Sequence, residues 1–221
     1  MKPRVYIVQC WGGHPGYCWY PWLKRELRAH GVDAHIPQLP KPERPQAAAW
    51  VTALQRAVGV PDAGVTLVGH SAGVVTILRY LQSLPANATV GHVISVAGFA
   101  SNPGYPELDS FFAAPLDFTA ITARCPKFTV VTSENDPFVP VALAKELAES
   151  LGTTPYFVLG ATHFSNRLTQ VPVLLAAALG NPLPPSPVPP EPGPDGAPRE
   201  TQGYLTSDYL MTQATRVCTE H

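Results

Sequence analysis

Along the chain, short apolar runs alternate with longer stretches in which apolar positions recur every three to four residues. Residues 5–8 are Val-Tyr-Ile-Val, a run too short for a helix and rich in β-branched and aromatic side chains, which predicts a buried strand. Over 19–30, Trp19, Trp22, Leu23 and Leu27 fall near helical spacing and Gly31 supplies a stop, so a helix is expected. Residues 32–36 predict a second strand, and over 47–58 Trp50, Val51, Leu54 and Val58 share one face of a helix. A β-branched strand at 65–68 is followed at once by a helix over 72–83. Strands at 92–97, 127–132 and 154–159, a helix over 141–151 opened by Pro140, and a helix over 171–179 complete the series.

This strand–helix alternation predicts a mostly parallel sheet with helices on both faces. Ligands of such sheets bind beyond the carboxyl ends of the strands, so the residues that follow each strand are where chemistry is sought. The stretch 99–118 has no clear period and is expected to cover that edge. Between 182 and 198 nearly every second residue is proline, which removes backbone donors and apolar side chains alike. A globular domain over 1–181 and a disordered, solvated tail over 182–221 are therefore expected, the tail being a possible docking segment for a protein partner.

Composition narrows the class. The chain has 221 residues, enough for one domain with a sizeable core. Only 14% of residues are charged and the formal net charge is -1, so the basic field that nucleic acid requires is missing. The 4 cysteines (Cys10, Cys18, Cys125 and Cys218) make neither a CxxC pair nor a zinc spacing, and are expected as reduced thiols in a cytoplasmic protein without a metal or organic cofactor. The first apolar run is too short for the core of a signal peptide, and no run approaches the roughly 18 apolar residues of a membrane span, so no membrane association is expected.

Candidate chemistry begins at Gly69-His70-Ser71-Ala72-Gly73, placed between a strand and a helix. In that context G-x-S-x-G is a sharp turn that lifts a serine hydroxyl above the sheet, and bulk at positions 69 or 73 would collide with neighbouring backbone. The following helix N-terminus favours developing negative charge. Ser71 is the expected nucleophile; an aspartate there would have suggested dehalogenation, whereas serine points to acyl transfer.

A serine hydroxyl needs a base to take its proton. In the chain order Ser, acid, His, the acid follows a strand, and Ser133-Glu134-Asn135-Asp136-Pro137 lies just past 127–132. Asp136 is the expected acid, with Glu134 as its rival. His163, in Gly160-Ala161-Thr162-His163-Phe164 after the last strand, is the expected base. His70 is expected to pack locally. For the oxyanion, one backbone N–H is expected from Ala72 and a second from the glycine-rich loop Cys10-Trp11-Gly12-Gly13-His14, at Trp11 or at neighbouring Gly12. Trp11, Tyr17, Trp19, Tyr105, Phe111, Phe112 and Phe138 are candidates for an apolar acyl pocket, about half of them expected to be core.

These segments resemble the small serine hydrolases related to retinoblastoma-binding protein 9 and their YdeN-type relatives. The likeness rests on Trp19-Tyr20-Pro21-Trp22-Leu23, Gly69 to Gly73, Cys125-Pro126 through Asp136-Pro137-Phe138-Val139-Pro140, and Gly160 to Phe164. The resemblance implies an α/β-hydrolase fold without a large lid domain, a triad on Ser71, Asp136 and His163, no cofactor, and hydrolysis of small acyl esters or amides through an acyl-enzyme. Two departures are visible. Cys10 stands where relatives usually carry glycine, and Arg216-Val217-Cys218-Thr219-Glu220 lacks the leucine of a Leu-x-Cys-x-Glu pocket-protein motif. A protein-interaction module that keeps the fold without chemistry is the competing expectation; a complete triad argues against it.

Overall fold

Six parallel strands in the order β2-β1-β3-β4-β5-β6 form the centre of the computed structural model, which describes residues 2–165 and 168–189. The strands are β1 (Arg4–Val8), β2 (Asp33–His35), β3 (Val65–His70), β4 (His92–Val96), β5 (Phe128–Thr132) and β6 (Pro155–Phe157). After β2 the chain crosses back over β1 to build β3, so the sheet grows in opposite directions from that pair. The carboxyl ends of β1 and β3 thus flank the switch point where such sheets place their sites.

Pleating sorts each strand into two cores. Val5 and Ile7 of β1 face the cluster built by α1 (Tyr20–Ala29) and α7 (Pro172–Ala178), whereas Tyr6 and Val8 face the one built by α2 (Ala47–Val58), α3 (Ala72–Ser83), α5 (Phe118–Arg124) and α6 (Val141–Ser150). In α1 the buried positions Tyr20, Leu23 and Leu27 form one stripe, and the chain then leaves the helix through Gly31 at φ 76°. In α2 Trp50, Leu54 and Val58 do the same. Helix α3 differs: nine of its residues are buried, because sheet, α2 and α5 pack around it.

The stretch without clear period contains a 3-10 turn at Pro106–Leu108, the four-residue helix α4 (Asp109–Phe112) and the start of α5. Elements this short cannot display a full helical repeat. Leu108 and Phe111 anchor them in the core, with Phe111 edge-on to Trp50. Arg79 of α3 holds them from beneath, its guanidinium donating to the carbonyls of Phe111, Ala114 and Pro115. Burial lowers the pKa of this guanidinium, and three carbonyls compensate the desolvation.

Past Asn181 the described chain stays close to the domain. Leu183 packs against the core around α1 and α7, and the Ser186 hydroxyl accepts from the Phe157 N–H of edge strand β6 at 2.9 Å. The rest of the proline-rich tail, with Cys218 and the 216–220 motif, lies outside the described residues. Among the described residues no helix is long and apolar enough to cross a membrane.

The turn from β3 to α3 leaves no space. A Cβ on Gly73 would sit 2.3 Å from the Val8 carbonyl oxygen and 2.7 Å from that of Gln9, and neither backbone atom can withdraw. Gly73→Ala is expected to destabilise the protein by on the order of 3 kcal/mol or to prevent folding, as read by thermal denaturation. Two histidines of the sheet are buried and held neutral. Burial pushes His70 down to about 3; burial, helped by the Lys127 charge, pushes His92 down to about 4. Both folded values lie below the ordinary 6.5, so the unfolded chain takes up protons that the native chain refuses. Their contribution is complete above about pH 6.5 and is lost as the pH falls towards those folded values, at about 1.4 kcal/mol per pH unit for each ring. Denaturant titrations between pH 7 and 4.5 should show that slope, and His92→Gln should flatten it; an unchanged slope in the variant would contradict the assignment.

Candidate active site

Ser71 terminates β3 with a backbone at φ 54°, ψ -120°, a conformation that a residue with a side chain adopts only under constraint. Its N–H donates to the Val96 carbonyl at the end of β4, at 2.9 Å, and its own carbonyl accepts from Val74 N–H at 2.8 Å. These bonds clamp the residue between sheet and helix. Gly69 is needed for the same reason as Gly73, since a Cβ there would lie 2.9 Å from the Val74 backbone. Ser71 is 7% exposed, at the first turn of α3.

Asp136 and His163 come from the loops after β5 and β6. His163 Nδ1 lies 2.8 Å from Asp136 Oδ2, with the imidazole 11% and the carboxylate 1% exposed. The other carboxylate oxygen accepts from the N–H groups of Phe138 and Val139 at 2.9 and 3.0 Å. A carboxylate oxygen accepts from a ring N–H, so in the neutral imidazole this contact selects the tautomer with the hydrogen on Nδ1 and the lone pair on Nε2. The imidazole also meets the Phe138 ring edge-on, with centroids 5.2 Å apart. Among the described residues no hydrogen bond joins Ser71 to His163; in unliganded sites such bonds are often long and tighten only around a substrate.

Three consecutive residues of the β5 loop each hold one position of the β6 loop. Glu134 accepts from Gly160 N–H at 3.0 Å, Asn135 Oδ1 accepts from Thr162 N–H at 3.0 Å, and Asp136 meets the His163 ring. The rival carboxylate therefore faces a backbone amide, and Asp136 faces the imidazole. Thr162 and Phe164 flank His163 at φ 49° and 53°, a left-handed conformation that is costly for both. The Phe164 carbonyl accepts from the buried Trp19 indole N–H at 2.9 Å, and the His163 carbonyl lies 2.7 Å from His70 Nε2.

The loop after β1 faces the same edge. Its Cys10 N–H donates to the Tyr20 hydroxyl at 3.0 Å, Gly12 N–H to the Pro42 carbonyl at 2.8 Å, and Gly13 N–H to the Cys10 carbonyl at 3.0 Å. Among the described residues no acceptor faces the N–H of Trp11 or of Ala72. Gly12, the alternative second donor, is thus already engaged. The Trp11 indole donates to the Glu43 carbonyl, and its ring meets Tyr105 edge-on at 5.8 Å. Of the aromatic candidates, Trp19 and Phe111 are fully buried core, whereas Trp11, Tyr17, Tyr105 and Phe112 are partly exposed and Phe138 is 50% exposed. Among the described residues no group of three or more His, Cys, Asp or Glu side chains is placed to hold a metal ion.

Tyr20, Trp19 and Asn135 carry contacts that patterning did not single out. Tyr20 lies on the buried stripe of α1 and Trp19 is the buried residue just before that helix, and nothing in apolar spacing signals a hydroxyl or indole aimed at a distant loop.

A family profile described as "Serine hydrolase" matches residues 5–169. The protein named "Putative hydrolase YdeN" of Bacillus subtilis (strain 168) is 32% identical over 177 residues, covering 79% of this chain and 93% of YdeN. The serine hydrolase RBBP9 of Rattus norvegicus is 25% identical over 151 residues, covering 67% of this chain and 78% of RBBP9. The crystal structure of the Bacillus subtilis ydeN gene product superposes with a TM-score of 0.77 at 31% identity, covering 81% of this chain and 98% of that one. Est1E from Butyrivibrio proteoclasticus, at 12% identity and a TM-score of 0.61 over 80% of this chain and 85% of its own, shares the fold. The chain belongs to the serine hydrolase family and is a hydrolase of the α/β-hydrolase fold.

Proposed function

We propose that this hydrolase cleaves small acyl esters or amides through a Ser71–His163–Asp136 triad and an acyl-enzyme intermediate. The observation that carries the reading is the 2.8 Å bond from His163 Nδ1 to a carboxylate whose side chain is almost wholly buried, taken together with a serine at φ 54° on a strand-to-helix turn. His163 Nε2 takes the hydroxyl proton as Ser71 Oγ attacks the acyl carbonyl. Asp136 holds the ring tautomer and stabilises the imidazolium. The Trp11 and Ala72 N–H groups, both without an acceptor among the described residues, receive the oxyanion. His163 then returns the proton to the leaving alcohol or amine. The same steps run in reverse order with water, which releases the acid and regenerates Ser71.

Trp11, Tyr105 and Phe138 offer apolar ring surface beside this centre and favour an apolar acyl group over a charged one. The free thiols Cys10, Cys18 and Cys125 suit a reducing, cytoplasmic setting.

Ser71→Ala is expected to lower kcat by about 10⁶-fold and to abolish labelling by a fluorophosphonate; labelling of the variant at the original rate would refute the nucleophile. Asp136→Asn should cost about 10⁴-fold through the wrong imidazole tautomer. Glu134→Gln should cost far less, so equal losses in the two variants would reverse the choice of acid. A panel of acyl esters and aminoacyl amides distinguishes the two substrate classes.

A further inference from the structure

Three loops meet at the proposed site, and one buried chain of hydrogen bonds connects them. The His70 ring is fully buried, with Nε2 2.7 Å from the His163 carbonyl oxygen and Nδ1 2.7 Å from the Tyr20 hydroxyl. That hydroxyl in turn accepts from Cys10 N–H at 3.0 Å. The direction of every bond follows from chemistry. A carbonyl can only accept, so His70 Nε2 must donate. Burial keeps the ring neutral, so Nδ1 carries a lone pair and must accept. Tyr20, whose phenol burial holds well above its ordinary pKa, remains protonated and supplies that hydrogen. The remaining acceptor site of its oxygen takes the Cys10 amide.

We propose that Tyr20 and His70 are positioning residues, forming a directed relay from Cys10 N–H through Tyr20 O–H and His70 to the His163 carbonyl that fixes the β1 loop, the Ser71 turn and the His163 loop relative to one another. The proposal rests on the triad reading above and deepens it. Each end of the relay adjoins a reacting group. Cys10 precedes Trp11, so holding the Cys10 amide holds the loop that aims the Trp11 N–H. His70 precedes Ser71. His163 sits between two left-handed residues, Thr162 and Phe164, in a backbone that does not hold its shape unaided. Its carbonyl bond to His70 sets where the imidazole sits, and the His70 and His163 rings lie 5.2 Å apart. Displacing reacting groups by a fraction of an ångström to an ångström lowers turnover, by up to about a hundredfold.

A relay that merely satisfies buried polar atoms would affect stability alone, so the test separates the two roles. The full-length protein and its Tyr20→Phe, His70→Asn and His70→Gln variants are compared in ester hydrolysis and in the rate of fluorophosphonate labelling. The amide of Asn reaches about where ring Nδ1 lies and leaves the His163 carbonyl unpaired; that of Gln reaches about where Nε2 lies and keeps a donor for it. In folded protein, His70→Asn should lower kcat by about tenfold to a hundredfold with KM within about twofold. Tyr20→Phe should lower kcat by about tenfold, and His70→Gln should lose less than His70→Asn. Turnover unchanged in Tyr20→Phe and His70→Asn, or equal losses in the two His70 variants, overturns the relay. Wild type that is not labelled at Ser71 overturns the triad reading instead. Should a variant not fold, nitrogen NMR of the wild-type histidines decides: His70 must carry its proton on Nε2, and a proton on Nδ1 overturns the proposal.

Discussion

The tight crossing of β3 into α3 under the end of β1 is the constraint on which the carboxyl edge of the sheet depends. Gly73 lies so close to the Val8 and Gln9 carbonyls that the helix cannot be rotated or shifted outward without losing the strand. With helix and strand both fixed, the one residue between them absorbs the change of direction, and Ser71 takes a backbone conformation that is unfavourable in isolation. The surrounding core stabilises it. Nine buried residues of α3 oppose any relaxation of the turn, and strain at one residue is small against that burial.

The remaining parts of the site are arranged around this fixed point by polar contacts. The β5 and β6 loops carry few core side chains, yet Glu134, Asn135 and Asp136 connect them at three successive positions, and Trp19 and His70 hold the far side of the same segment. Hydrogen bonds inside the protein are each worth only about 1 kcal/mol net, but they are directional, and direction is what the proposed proton transfer needs. Burial and geometry therefore divide the work: the sheet and α3 set where the serine sits, and the loop contacts set where the imidazole sits.

Much of this was legible in the sequence. Helices 47–58 and 72–83 carry complete apolar stripes between clear stops, and their ends coincide with those of α2 and α3. The edge strands were overextended, 32–36 against Asp33–His35 and 154–159 against Pro155–Phe157, because apolar character persists beyond the point where a single neighbour can pair. Helices α4 and α5 were invisible as periods, and Arg79, which determines the path between them, reads as an ordinary polar position of a helix. The residues of the candidate triad stood out because chain order and strand ends point to them. The anchors behind them did not: Trp19 reads as one apolar position of a helix, Tyr20 lies off the face that Trp19, Trp22, Leu23 and Leu27 suggest, and the pairing of Gly12 N–H with the Pro42 carbonyl depends on a contact that no local pattern encodes.

The outer rim of the sheet at β6 has a consequence of its own. An exposed strand edge is a template on which a second molecule can add a strand, the first step towards aggregation. Here the edge strand is three residues long, begins at Pro155, which has no N–H to offer, and has its Phe157 amide occupied by Ser186. A neighbouring chain finds scarcely a free donor along that border, so the start of the proline-rich segment disfavours strand addition at the β6 edge.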